Sequence, residues 1–273
     1  MTTTTPQAET PTPMRHAPGS FCWIELAAHD RDAAERFYTA LFGWTARHDK
    51  IGPEDDDLYV MLQKDGRDVG ALYSMMADQR QAGIPSHWMS YVSVDSADGA
   101  AARARELGGT VLAEPFDVMQ YGRMAVVSDP AGAAFSLWEA RAHHGVGVRD
   151  EPGSLCWNEL ATTDTDGARR FYEGLFAWAS DTMDVGMEYT TFLNGEAQAG
   201  GMYGITDEMK GMPPMWLPYF AVEDTDAAAE RAKELGGTVH VPPTDIPGIG
   251  RFSMLMDPQG AVFHVIRLAP MDA

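Results

Sequence analysis

Residues 19–44 read GSFCWIELAAHDRDAAERFYTALFGW, and residues 153–178 read GSLCWNELATTDTDGARRFYEGLFAW. Trp23 and Trp157 set the offset at 134 residues. Self-similarity of this kind marks a repeated structural unit and governs every later assignment. The match continues at shorter offsets. Tyr73 pairs with Tyr203, Trp88 with Trp216, Glu106-Leu-Gly-Gly-Thr110 with Glu234-Leu-Gly-Gly-Thr238, and Asp129-Pro-Ala-Gly132 with Asp257-Pro-Gln-Gly260. Two short deletions in loops of the second copy account for the changes of offset. The chain therefore divides into a tail (1–18), a first domain (19–140), a linker (141–152, RAHHGVGVRDEP) and a second domain (153–268).

Each copy opens with an alternating strand (Phe21 to Ala27), then a helix started by Asp30 that carries Ala33, Ala34, Phe37 and Leu41 at helical spacing. Three strands follow near 45–49, 58–63 and 68–73. A further strand (His87 to Val94), a helix ended by Gly108-Gly109 and three strands near 110–114, 122–128 and 133–139 complete the copy. The pattern is βαβββ twice per copy and four times in the chain. It predicts an α+β fold with helices on the outside of curved sheets that form two cups.

Composition narrows the functions. Forty acidic against 20 basic side chains give a net charge of -20, which repels phosphate backbones and anionic lipid. Nucleic acid and membrane partners are not expected, and cationic or neutral ligands are. Residues 1–18 are rich in Thr and Pro and lack the basic start and apolar run of a secretion signal, so they read as a disordered tail on a cytoplasmic protein. Cys22 and Cys156 are too few to staple a chain this long, and their parity places them opposite Trp23, toward the helices, as small buried hydrophobes. The linker pair His143-His144 reads as exposed and without a role. Phosphate-cradling loops, dinucleotide fingerprints and serine-elbow motifs do not occur, so no cofactor is expected.

Asp30-x6-Phe37-Tyr38-x2-Leu41-Phe42-Gly43-Trp44, Glu106-Leu-Gly-Gly and Asp129-Pro-x-Gly132 together resemble the vicinal oxygen chelate superfamily, over about residues 19–140 and 153–268. That superfamily includes glyoxalase I, extradiol dioxygenases, fosfomycin-resistance enzymes and metal-free bleomycin-resistance proteins. The shared Cys-Trp-x-Glu-Leu of both first strands is similar to actinobacterial two-domain members, some of them from antibiotic clusters such as those for anthracyclines.

The resemblance implies where a metal would bind: one His, Glu or Gln on the first strand of each module and one near its end. Those positions fall on Trp23, Met89, Ser136 and Gly70 or Ala71 in the first copy. In the second they fall on Trp157, Leu217, His264 and Gly200 or Gly201. Hard divalent ions need converging N and O donors. Only His264 offers one, so no metal of the family's kind is expected. Glu25 and Glu159, two residues past the tryptophans and on the same strand face, remain as candidates with His264 for another site or for acid–base chemistry. Alternatively each carboxylate pairs with buried backbone or an indole N–H.

Parity also sends Tyr91, Trp138 and Tyr219 into the cups, while Trp44, Trp88, Trp178 and Trp216 belong to the core. Walls of indole, phenol and thioether suit stacking on planar ligands, or fill the cup entirely. Methionine-bearing loops before the fifth strands (Ser74 to Pro85 and Gly204 to Met215) read as adaptable lids. The expected ligand-binding set is Trp23, Glu25, Met89, Tyr91, Ser136, Trp138, Trp157, Glu159, Leu217, Tyr219 and His264.

Three functions fit these residues. The first is a metal-free protein that binds a planar aromatic natural product, cationic or neutral, for antibiotic self-resistance or beside a biosynthetic enzyme. The second is a metal-independent enzyme in which Glu25, Glu159 or His264 moves a proton. The third is an interaction protein whose cups are filled. The cups are expected to differ: Ser136 against His264, Met89 against Leu217, Ser90 against Pro218 and Trp138 against Ile266. Pro218, lacking a donor, reads as an edge or bulge residue reshaping one mouth.

Overall fold

The structure, a computed structural model, describes residues 14–54, 57–184, 186–209 and 211–270. The expected tail lies outside the described residues for positions 1–13. Residues 14–18 lie against the body, where His16 Nε2 meets the carbonyl of Val146 at 3.1 Å.

The first copy runs β1 (Phe21–Ala28), α1 (Arg31–Phe42), β2 (Thr45–Lys50), β3 (Leu58–Lys64) and β4 (Arg67–Ser74), then α2 (Ala77–Gln81) and β5 (His87–Ser93). It closes with α3 (Ala97–Glu106), β6 (Thr110–Val118), β7 (Gly122–Ser128) and β8 (Ala134–Ala140). The second copy repeats this as β9 (Leu155–Thr162), α4 (Thr165–Phe176), β10 (Ala179–Asp184), β11 (Glu188–Asn194) and β12 (Ala197–Gly204). After a 3-10 turn at Asp207–Met209 come β13 (Met215–Ala221), α5 (Thr225–Glu234), β14 (Thr238–Ile246), β15 (Gly250–Met256) and β16 (Val262–Leu268). Asp30 caps α1 by accepting from Ala33 N at 2.9 Å, and Asp164 caps α4 from Gly167 N at 2.8 Å. These side chains satisfy donors that a helix start leaves unpaired. Gly43 ends α1 in the left-handed region at φ 70.

Each copy makes one eight-stranded sheet, ordered β2-β3-β4-β1-β5-β8-β7-β6 and β10-β11-β12-β9-β13-β16-β15-β14. The central pairs β1/β5 and β9/β13 are antiparallel and join the two modules, whereas β1/β4, β5/β8, β12/β9 and β13/β16 are parallel. Each cup therefore forms within one copy.

The cores behind the cups do not respect that division. One holds Phe37, Tyr38, Trp44 and Trp88 of the first copy together with Phe220, Leu255, Phe263 and Val265 of the second. The other joins Phe21, Val127, Phe135 and Leu137 to Phe171, Tyr172, Trp178 and Trp216. Trp88 Nε1 donates to the Tyr38 hydroxyl (3.0 Å), which donates to Asp257 Oδ2 (3.1 Å). Its mirror runs from Trp216 Nε1 to Tyr172 (2.8 Å) to Asp129 Oδ2 (3.2 Å). The Asp-Pro-x-Gly turn of each copy thus receives the helix tyrosine of the other. Asp129 also accepts from the backbone N–H of Ala131, Gly132 and Ala133, so this buried carboxylate is fully paired.

Pro218 sits in an interior strand. It lies opposite Asn158 across β9/β13, just before the register shift at Tyr219/Phe220, and is buried on the face between the copies, not at a cup mouth. Asn158 Oδ1 accepts there from Ser90 Oγ at 2.7 Å. Among the described residues no helix is long and apolar enough to cross a membrane.

Candidate functional site

Both cups are built on the same four side chains. In the first, Trp23 Nε1 donates to the Tyr59 hydroxyl (3.2 Å), Tyr59 donates to Glu25 Oε2 (2.6 Å), and Tyr91 donates to Glu25 Oε1. In the second, Trp157 Nε1 donates to Tyr189 (3.1 Å), Tyr189 to Glu159 Oε1 (2.9 Å) and Tyr219 to Glu159 Oε2 (2.7 Å). Strand geometry explains the convergence: Trp23 and Glu25 alternate to one face of β1, and Tyr91 lies opposite Trp23 on β5. Each carboxyl oxygen therefore takes one phenol. The partners expected from the sequence, buried backbone or an indole, are replaced by tyrosines, and the indole bonds the tyrosine oxygen. Tyr59 and Tyr189 were not anticipated, although their matching places in the repeat, 130 apart like Tyr73 and Tyr203, carry the signal.

Burial raises Glu25 and Glu159 above the usual carboxyl range, and the phenol hydrogen bonds pull the other way. The same burial and the neighbouring carboxylate raise Tyr59, Tyr91 and Tyr219 well above theirs. The hydroxyls stay protonated and remain donors.

The remaining predicted residues lie around this centre. Met89 and Trp138 pack in one cluster with Trp23 and Tyr91, and Leu217 packs beside Tyr203 and Met215. Ser136 pairs with Tyr91 across β5/β8, and His264 pairs with Tyr219 across β13/β16. The His264 ring stacks on Tyr219 with centroids 4.0 Å apart and planes 14° apart. Both Ser136 Oγ and His264 Nδ1 are buried without a hydrogen-bond partner. Desolvation pushes the imidazole of His264 down to about 3, so it is neutral at physiological pH.

A family-type metal does not fit these residues. The fourth-strand position resolves to Ala71 and Gly201, which register with Glu25 and Glu159. A β-carbon built on Gly201 would run into the Tyr189 hydroxyl and lie 3.0 Å from Trp157 Nε1, so phenol and indole occupy that space. Both oxygens of each glutamate are engaged by phenols. Among the described residues no three His, Cys, Asp or Glu side chains converge into a metal-holding group.

Three expectations are corrected. Register shifts at Phe21/Trp23 and at Tyr219/Phe220 turn Cys22 and Cys156 off the helix face, and each packs with the cup clusters. Both thiols remain buried, and desolvation pushes them up to about 12, as befits inert residues. His143 is not an exposed linker residue. Its ring meets Trp23 edge-on (4.5 Å, 86°) and lies 6.0 Å from Trp138, whose Nε1 donates to the His143 carbonyl at 2.9 Å. Of the methionine loops, Met212 and Met215 pack on the second cup's cluster and Met76 points to solvent; Met202, beside the second loop in β12, is buried in a core between the copies.

The chain is 39% identical over 252 residues to "Putative glyoxylase CFP32" of Mycobacterium tuberculosis, covering 92% of this chain and 95% of that one. It is 38% identical over 267 residues to "Anthracycline biosynthesis protein DnrV" of Streptomyces peucetius, covering 93% and 95%. In fold it is similar to the Mn(II)-bound glyoxalase from Novosphingobium aromaticivorans, with a TM-score of 0.63 at 15% identity over 92% of this chain and 82% of that one. The profile of the Glyoxalase/Bleomycin resistance protein/Dioxygenase superfamily matches residues 20–137 and 154–265, so this tandem of two glyoxalase-type cups belongs to that superfamily.

Proposed function

We propose that the protein binds a planar aromatic natural product without a metal, in an antibiotic pathway. The observation that carries this reading is the Trp–Tyr–Glu–Tyr network at the metal positions of both cups, which exchanges metal donors for flat, polarisable walls. The similarity to an anthracycline biosynthesis protein supports the pathway, and polycyclic aromatics of that type match such walls. The net charge of -20 favours neutral or cationic ligands and disfavours anionic ones.

A second reading has its own support. Glu25 and Glu159 combine raised proton affinity with two phenols each, an arrangement able to hold and hand on a proton, and one relative's name is that of an enzyme. Incubation of the purified protein with a panel of hydroxylated polycyclic aromatics, followed by native mass spectrometry and product analysis, separates the two. The binding reading expects retained, chemically unchanged ligand and well below one equivalent of Fe, Mn, Ni or Zn by elemental analysis. A converted product supports the enzyme; stoichiometric metal, with binding lost on chelation, overturns the metal-independent reading.

A further inference from the structure

The linker supplies an aromatic ring to one cup only. After β8 the chain crosses the tryptophan end of the first cup, held by Val146 N to Cys22 O (2.8 Å), Gly147 N to Asp68 O (2.7 Å) and Trp138 Nε1 to His143 O. Val146 becomes part of the Trp23–Tyr91–Trp138 cluster, and Trp23 is left 3% exposed. The imidazole of His143 stands over Trp23 with its Nε2 unpartnered. The second cup has no such cover among the described residues. Trp157 is accordingly half-buried, Ile266 replaces the bulk of Trp138, and Ile249 and Leu268 are exposed nearby. A hollow of about 300 Å³ lies at the β14–β15 turn and the end of β16, lined by Ile246, Pro247, Leu268 and Pro270 among others and by none of Trp157, Glu159, Tyr219 and His264. Val118, the repeat partner of Ile246, packs in the covered cluster of the first cup.

We infer that the second cup is the working ligand site and that His143 fills, in the first, the place a ligand ring takes in the second: a flat aromatic ring over Trp157, bearing an oxygen that hydrogen-bonds to His264 Nδ1. The buried and unpartnered Nδ1 is the second, independent mark of a missing partner, since buried polar atoms are normally paired. A neutral imidazole offers that partner a donor or an acceptor according to its tautomer. Ser136 Oγ, the corresponding orphan, lies in the cup that the linker covers. The inference rests on the binding reading above and assigns it to one cup.

The test is calorimetric titration of the full chain with quinizarin, a dihydroxyanthraquinone, with native mass spectrometry for stoichiometry. One equivalent is expected. Trp157→Ala and His264→Phe, the latter keeping a flat ring on Tyr219 while removing Nδ1, should each weaken binding about tenfold or more. His143→Gly should raise the stoichiometry to two. Thermal melts check folding, with Trp157→Phe as the milder variant if Trp157→Ala unfolds. Binding kept at full strength in Trp157→Ala, or two equal wild-type sites, overturns the inference and leaves the binding reading standing. Failure of quinizarin to bind overturns the inference; failure of the whole aromatic panel overturns the reading as well.

Discussion

The two cups share one hydrogen-bonded centre and differ in what closes them. In the first, the tryptophan end is sealed by His143, Val146 and Trp138, while Glu25 and Met89 stay partly accessible. In the second, Trp157 is half-buried beside Ile266 and Phe252, and the glutamate end is closed by Leu217, Tyr203, Met212 and Met215, leaving Glu159 7% exposed. Duplication preserved the polar centre, because removing any member would strand a buried partner. The covers were free to diverge, since apolar contacts tolerate exchange when volume is conserved.

The strongest way to break this comparison is to ask whether the cups are separable at all. Phe220 packs against Phe42, Trp44 and Trp88 of the other copy, at centroid distances of 5.0, 5.4 and 5.5 Å. Phe220→Ala should cost about 3–5 kcal/mol by cavity formation, and both copies should melt in one calorimetric transition. Two separate transitions would mean that the cups fold independently.

A smaller effect sharpens the difference at the metal positions. Gly201→Ala drives a methyl group toward Tyr189 and Trp157, and should destabilise by about 1–3 kcal/mol in a denaturant titration. Its counterpart Ala71→Gly creates no clash and should cost about 0.5–1 kcal/mol. Equal costs would show that the phenol–indole pair is not packed as described.

The smallest effect is a pH dependence. The folded state holds the protons of Glu25 and Glu159 more tightly than the unfolded chain does, so their contribution is complete below the ordinary Glu range and is lost as pH rises through the raised folded values. Melting curves of wild type and Glu159→Gln across mildly acidic to neutral pH should show the wild-type advantage shrinking as pH rises. An advantage that grows with pH would mean that these carboxyls are ionised and stabilised in the fold.

Much of this architecture is legible in the chain. The repeat, the capped helices, the period-two strands and the tryptophan-to-glutamate spacing are all local patterns, and local patterns survive being read one stretch at a time. Strand parity turned Trp23, Tyr91, Trp138 and Tyr219 to the faces where the structure groups them. Parity failed at Cys22 and Cys156 because one extra residue in a bulge reverses the facing of the residue beside it, and nothing in the composition of β1 or β9 announces that shift. The tertiary structure alone decided which modules share a cup, that the helix tyrosine of each copy bonds the Asp-Pro-x-Gly turn of the other, and that His143 covers Trp23. These pairings join residues that are distant in sequence. They are set by how two curved sheets bury their backs against each other and by where the connecting chain must then run.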